Sequence, residues 1–404
     1  MGVITPVGQS IDAFWSNLKA GVCGIDRIEG IEEEIPISVA GQVKNFDPEA
    51  QGLVKTDVRR SDRYSQYALA AAIQAMKQSG LVSGENIEPE RLGVYIGSGI
   101  GGIETFVAQT KVLLEEGANR ISPLFIPMMI SNIASGNVAI RFNAQGPSLP
   151  AVSACATSTN TAGEAFRAIK FGYADAILTG GAEAAVNALA IGGFANSKAL
   201  THATDPKKAS IPFDKNRSGF VMGEGAGVLV FEEYEHAVAR GAEIIAEVCG
   251  YGNTNDAYHY TAPRPDAAAA SRAMRLALEE AGYKEGEKLY INAHGTSTPL
   301  NDKTETKAIK LALGEEDARR AVISSTKSMT GHMLGATGAV ELIASALAVR
   351  DGIVPPTIGY SEPDPECDLD YAPNAARETE LDIALSNSLG FGGHNACVVL
   401  RKIK

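Results

Sequence analysis

A chain of 404 residues, 45% hydrophobic and 21% charged, can bury two substantial cores and has none of the composition of low-complexity disorder. Its formal net charge of −12 argues against nucleic-acid binding, which needs a positive surface to displace counterions. The five cysteines are widely spaced without a CxxC pair, which suggests neither a disulfide framework nor a zinc site, and a reducing, cytoplasmic compartment is expected. The opening MGVITPVGQSIDAFW lacks the basic start and apolar run of a signal peptide, and no apolar stretch reaches the roughly 18 residues of a membrane helix, so no membrane association is expected.

Along the chain, the first marked feature is a basic cluster, KTDVRRSDR (55–63), which carries Lys55, Arg59, Arg60 and Arg63; Lys207 and Lys208 form a second basic pair. LGVYIGSG (92–99) reads as a buried strand, and a helical stretch over 103–116 follows it. Between them, Gly97 to Gly102 match GxGxxG, the context of a dinucleotide fingerprint. That reading fails at its next requirement. The acid that should end a second strand about 20 residues on is missing from SPLFIPMMISNIASG (122–136). The glycines read instead as tight turning beside a pocket.

SACATSTNTAGEAF (153–166) places Cys155 among small residues just before a helix, read at 164–174. A thiol there feels the positive end of the helix dipole, and a lowered pKa is expected. Cys23, Cys249, Cys367 and Cys397 lack such a setting and read as packing residues. Strands follow at 175–183 and 225–233, then the helical EHAVARG; IIAEVCGYG starts the pattern afresh. A division near 243 is therefore expected, into residues 1–243 and 244–404. Helices are read at 267–282 and 304–314, both ending at glycine.

Three more segments carry chemistry. In INAHGTSTPLNDKTET (291–306) a strand ends at His294, and Thr296 and Thr298 offer hydroxyls to a polar substrate arm. SSTKSMTGHMLGATGAVE (324–341) brings Lys327, His332 and Glu341 into a Gly/Ala-rich stretch, where Lys327 is expected to orient His332 and keep it neutral. NSLGFGGHNA (387–396) reads as a glycine loop between two strands, able to offer N–H groups to an oxyanion and to use Phe391 as a gate. Together these supply a nucleophile, two histidines, a lysine and an oxyanion-type loop, the set an acyl-transfer site needs.

In SACATS, NAHGTSTPLND, TKSMTGHMLGATGAVE and GFGGHN, and over nearly its whole length, the chain resembles the elongating β-ketoacyl-[acyl carrier protein] synthases, most closely those of type II. The resemblance implies an α/β, thiolase-like fold of two similar βαβαβαββ halves in a layered α/β/α/β/α core, and a homodimer. It implies that Cys155 carries the growing acyl chain. His294 and His332 hold a malonyl thioester and promote loss of CO2, and the N–H groups of Cys155 and Phe391 form the oxyanion hole. Lys327 and Glu341 match supporting charged positions, and Thr296 and Thr298 match the contacts to the pantetheine arm. Asn292, Glu341, Ser386 and Asn387 match a structural monovalent-cation site. No cofactor is otherwise implied; the substrates ride on the phosphopantetheine of an acyl carrier protein, with Arg59 and Arg60 matching its docking region.

The second histidine, in TGHMLGA, separates this pattern from the Cys-His-Asn set of initiating synthases and from thiolases. The presence of Cys155 separates it from chain-length partner subunits. A ketosynthase of a specialised polyketide or polyene pathway is the alternative. Two departures stand out. The family opens with a short strand before the segment matched by MGVITPVG, so an unpaired sheet edge is expected. Phe106 falls at the back of the acyl pocket where a smaller aliphatic residue is usual, so a preference for shorter acyl chains is expected.

Overall fold

The computed structural model describes residues 1–403. Two sheets carry the fold. The first contains β1 (Gly2–Ile4), β2 (Leu92–Gly97), β3 (Ala176–Glu183) and β4 (Gly225–Glu232), in the order β1-β4-β3-β2. The second contains β5 (Glu247–Asn255), β6 (Leu289–Asn292), β7 (Val322–Ser324), β8 (Ile383–Gly390) and β9 (His394–Arg401), in the order β5-β9-β8-β6-β7. In each sheet an antiparallel pair of eight-residue strands, β3 with β4 and β8 with β9, lies beside a parallel strand, β2 or β6. β2 and β3 are buried along their whole length, as expected of strands covered on both faces.

Helices α1 (Arg63–Ser79), α2 (Ile103–Glu116), α3 (Thr157–Lys170), α4 (Ala268–Glu280), α5 (Pro299–Leu313) and α6 (Thr337–Asp351) complete the frame. α1 covers the outer face of the first sheet, and α4, with α5 beside it, covers that of the second; α3 and α6 touch both sheets from between them. The layers are therefore α/β/α/β/α, as the family resemblance implied. α6 is buried from Thr337 to Val349, and only Arg350 and Asp351 at its end reach solvent, the pattern of a helix enclosed on all sides. α1 begins at an Asp62 cap and stops at Gly80 in the left-handed region.

The two halves match in detail. Gly2 on β1 and Gly252 on β5 sit at equivalent places, each directly under the outer helix. A Cβ on Gly2 would lie 2.0 Å from the Ala71 carbonyl oxygen, and one on Gly252 would lie 1.9 Å from that of Ala273. Bare glycine is what lets each outer helix approach its sheet.

Element ends shift from the sequence reading where side chains mislead. The helix read at 164–174 starts seven residues earlier, at Thr157, because packing overrides the weak helix preference of Thr157, Ser158 and Thr159. The helix read from 304 starts at Pro299, a residue suited to the first turn. The expected glycine loop is a tight hairpin whose tip is only Phe391–Gly393, since β8 runs on to Gly390. β1 does pair, with residues 226–228 of β4, and its Val3 N–H donates to Gln74 Oε1 at 3.1 Å. The open edge that the sequence suggested falls on the remainder of β4, 229–232, which has no strand partner on that side among the described residues.

Gly252→Ala should destabilise the protein by about 1–3 kcal/mol or more through overpacking, read as a lowered urea midpoint; an unchanged midpoint would mean that α4 is free to move away.

Candidate active site

Cys155 lies in a single tight turn, Ala154–Ala156, that leads straight into α3. Ala154 holds a left-handed φ of 50°, unusual for a residue with a side chain. The turn is held by Thr157 Oγ1, which accepts the Ser153 N–H at 2.9 Å, and by Asn160 Nδ2, which donates to Ser153 Oγ at 2.6 Å. Gly390 passes so close that a Cβ there would meet the Ser153 carbonyl oxygen at 2.7 Å. That closeness brings the Phe391 N–H near enough to the Cys155 thiol to favour its charged form.

Burial pushes the Cys155 thiol up to about 11, against the opposing pull of the Phe391 N–H and of Lys327. The lowered pKa expected from the helix start is therefore overturned: at 8% exposure, desolvation outweighs the dipole. Cys155 opens into a cavity of about 370 Å³ that is also lined by His294, Thr296, Thr298, His332 and Phe391. The structure thus gathers residues scattered over more than 230 positions of sequence.

The His294 and His332 rings stand 5.3 Å apart, edge to face. Burial holds both well below the usual imidazole range, and Lys327 adds to the effect. The expectation that Lys327 orients His332 is corrected. His332 Nδ1 pairs with Thr337 Oγ1 at 3.1 Å, while Lys327 Nζ is paired with Glu341. Lys327 and Glu341 are each 1% exposed, and burial pushes the Glu341 carboxyl up to about 7 against the pull of Lys327. Thr296 and Thr298 are joined through their hydroxyls at 2.9 Å. Phe391 at the hairpin tip meets Phe194, which meets Phe220, which meets the His332 ring, with centroid separations of 6.2, 5.5 and 5.3 Å.

Three of the four oxygen-bearing residues matched to a cation site have a buried, unpartnered oxygen: Asn292 Oδ1, Glu341 Oε2 and Ser386 Oγ. Asn292 and Ser386 are paired across β6 and β8. Asn387 differs, because its Oδ1 accepts from Cys397 Sγ and its Nδ2 donates to Glu305. Phe106 does not line the cavity. It is 43% exposed on the first turn of α2, against Phe125. Ile103, the first residue of α2, packs against the apolar cluster that holds Cys155 and Leu334. Arg59 and Arg60 end the short helix Lys55–Arg60 and are exposed.

Two buried carboxylates escaped the sequence reading. Glu305 on α5 accepts the N–H groups of His294 and Gly295, each at 2.7 Å, and so fixes the loop that carries the first histidine. Glu183, at the end of β3, accepts the N–H groups of Gly99 and Ile100 at 2.8 and 3.1 Å. The donors of the GxGxxG segment are thus taken up inside the protein. The signal for both was available: an acid closing an apolar strand, and an acid on the inner face of a helix just after the histidine loop.

Comparison with known proteins agrees with this arrangement. Residues 1–237 match the beta-ketoacyl synthase N-terminal domain and residues 245–361 the C-terminal domain. The chain belongs to the β-ketoacyl synthase family. It is 51% identical to 3-oxoacyl-[acyl-carrier-protein] synthase 2 of Staphylococcus aureus (strain COL), over 100% of this chain and 97% of that protein. It is 48% identical to the protein of that name in Synechocystis, over 100% and 96%. Among solved structures, a type II polyketide ketosynthase bound to the hexaketide, in complex with its acyl carrier protein, superposes with a TM-score of 0.91 at 35% identity, covering 100% of this chain and 98% of that one.

Because its folded pKa is raised, Cys155 should be thiol at neutral pH. Its alkylation by iodoacetamide, followed by mass, should rise with pH toward a midpoint near 11; a midpoint below 8 would contradict the burial argument. Glu341→Ala leaves the Lys327 ammonium buried and unpaired, and should destabilise the fold by about 3–5 kcal/mol, whereas the Lys327→Met/Glu341→Leu double variant should lose clearly less in urea unfolding.

Proposed function

We propose that this chain is an elongating 3-oxoacyl-[acyl-carrier-protein] synthase, an acyltransferase that uses Cys155 to join an acyl group to a malonyl unit. The observation that carries the residue roles is the meeting of Cys155, His294 and His332 around one cavity, with two N–H groups at the thiol. In the first half-reaction the Cys155 thiol attacks the acyl-carrier thioester; a new thioester forms and the carrier leaves as its thiol, taking up the proton. In the second, malonyl-carrier enters. Two neutral histidines donate to its thioester oxygen as CO2 departs and negative charge builds there. Thr337 supports this role: with its hydroxyl donating to His332 Nδ1, the ring proton lies on Nε2. The carbanion then attacks the acyl-Cys155 carbonyl, whose oxygen is held by the Cys155 and Phe391 N–H groups. Collapse expels the thiolate and leaves a 3-oxoacyl-carrier two carbons longer.

In this reading residues 1–243 supply the nucleophile, and residues 244–404 supply the histidines, Lys327 and the Phe391 gate. Lys327 balances Glu341 and adds positive potential beside both histidines. Thr296 and Thr298 meet the pantetheine arm. An acidic carrier docks at Arg59 and Arg60, an attraction that salt should weaken. The unpartnered oxygens of Asn292, Ser386 and Glu341 fit a hard monovalent cation, which would neutralise charge behind the histidines. A second copy of the chain is the proposed cover for exposed large apolar side chains such as Leu114 (80% exposed), Ile126, Ile140 (82%) and Val152. No helix among the described residues is long and apolar enough to cross a membrane, and a cytoplasmic site of action is proposed. Phe106 lies one helical turn beyond Ile103, which packs against the apolar cluster that holds Cys155. Identity of 51% to lipid-type synthases against 35% to the polyketide ketosynthase favours fatty-acyl elongation.

Mixing the enzyme with acyl-carriers of graded chain length should give an acyl adduct by intact mass, absent in Cys155→Ala, and addition of malonyl-carrier should release the 3-oxo product. Short chains should be preferred, with Phe106→Ile extending the range. Acylation of Cys155→Ala would overturn the assignment, and polyketide-length products would favour the alternative pathway.

A further inference from the structure

The repeat of one plan in both halves gives each part of the Cys155 site a counterpart. β3 matches β8, residue for residue over eight positions, so Glu183 stands where Gly390 stands. The turn Ala154–Ala156 before α3 matches the turn Leu334–Ala336 before α6, so Gly335 stands where Cys155 stands. Even the backbone distortion repeats, with φ of 50° at Ala154 and 48° at Leu334.

The two places are filled differently. Beside Cys155 the strand end is a bare glycine, and the space holds a thiol under an N–H group. Beside Gly335 the strand end is a carboxylate. Glu183 accepts the N–H groups of Gly335, Gly99 and Ile100 at 3.0, 2.8 and 3.1 Å, and the Ser98 hydroxyl at 2.8 Å. It is fully buried and forms no salt bridge among the described residues. A carboxylate in such surroundings is tolerable only because four donors replace its water.

These donors come from segments far apart in sequence. Gly335 follows His332 by three residues, and Leu334 packs in the apolar cluster with Cys155 and Ile103. A Cβ on Gly335 would fall 2.3 Å from the Gly99 nitrogen, so the contact between the two segments is close. The Cys155 turn is tied separately, through Ser153, Thr157 and Asn160.

We infer that Glu183 is a positioning residue for condensation: its carboxylate takes up the Gly335 N–H, the counterpart of the Cys155 N–H, together with those of Gly99 and Ile100, and so locks the His332–Leu334 turn against the Ser98–Ile100 segment. The inference rests on the proposed elongation reaction. Loss of the carboxylate should disturb the histidine turn while leaving the Cys155 turn intact, so condensation should suffer more than acylation.

The test is Glu183→Ala in the full chain, with acylation of Cys155 and condensation with malonyl-carrier measured separately, in sodium formate and in sodium chloride of equal ionic strength. In chloride, condensation should fall at least about tenfold while acylation stays within about twofold. Formate, a carboxylate small enough for the vacated space, should restore condensation several-fold and raise the thermal midpoint of the variant relative to chloride, with neither effect on the parent. Condensation at the parental ratio to acylation, or a folded variant on which formate does nothing, would overturn the inference. If Glu183→Ala does not fold, Glu183→Gln decides: it turns one accepting oxygen into a donor, so condensation should drop selectively, and parental condensation by the folded Gln variant would also overturn it. A parent that acylates but never condenses would instead defeat the elongation reading, and the formate-dependent thermal shift of Glu183→Ala would still decide where the carboxylate sits.

Discussion

The close approach of α3 and α6 is the constraint on which the rest of the structure depends. Both helices are enclosed between the sheets, and both start beside the candidate site. A Cβ on Gly338 would lie 2.0 Å from Thr159 Oγ1, and the Ala339 N–H donates to Ser158 Oγ at 2.9 Å. The first turns of the helices are therefore interlocked. Cys155 precedes one helix by two residues and His332 precedes the other by five, so fixing the helices fixes thiol and imidazole relative to each other. The Thr159–Ser388 hydroxyl pair, 2.7 Å apart, extends the lock to β8 and hence to the hairpin tip with Phe391.

Burial then sets the chemical state of the groups so held. Each ionisable side chain pays a desolvation penalty, and the site answers with neutral forms or compensated charge. Cys155 is a thiol at neutral pH, and both histidines are uncharged. The one lysine is matched by one glutamate. In such a site charge is created during reaction rather than stored beforehand. An oxyanion or enolate formed there meets N–H dipoles and a nearby ammonium in a medium with little water to screen them. The raised thiol pKa fits this logic: negative charge need develop only as the thioester is attacked, when the N–H groups also have a developing oxyanion to stabilise.

Much of the frame could be read from the sequence, because buried strands and glycine-stopped helices follow local rules: Leu92–Gly97, Ala176–Glu183 and Gly225–Glu232 lie within a residue or two of the expected spans. The residues around the cavity could be read too, since Cys155, His294 and His332 each sit in glycine-, alanine- or threonine-rich segments that nothing but close packing or chemistry explains. What could not be read were quantities set by three-dimensional surroundings. The helix start at Cys155 argued for a lowered pKa, but enclosure by other segments decides the balance and reverses it. The partner of Lys327 was equally hidden. Glu341 lies 14 residues away and His332 only five, yet the turn at Gly331 carries the histidine off toward Thr337. Phe106 was assigned to a pocket that a single chain does not close around it.

The two halves also show how one scaffold supports unequal duties. The ends of β2 and β6 are equivalent, and each is followed by backbone N–H groups with no strand to receive them. In both places a buried carboxylate accepts them, Glu183 for Gly99 and Ile100, and Glu305 for His294 and Gly295. The acids come from unrelated positions, one from the end of β3 and one from within α5, so the shared feature is the physical demand and not the residue. A glutamate at position 390, the counterpart of Glu183, would drive its carboxylate into the space beside Cys155, where even a single Cβ collides with Ser153. Glycine there leaves the space beside Cys155 free of a side chain, and glutamate in the other half takes up the Gly335 N–H. The asymmetry between two nearly equal halves thus reduces, at its centre, to which strand end carries a side chain.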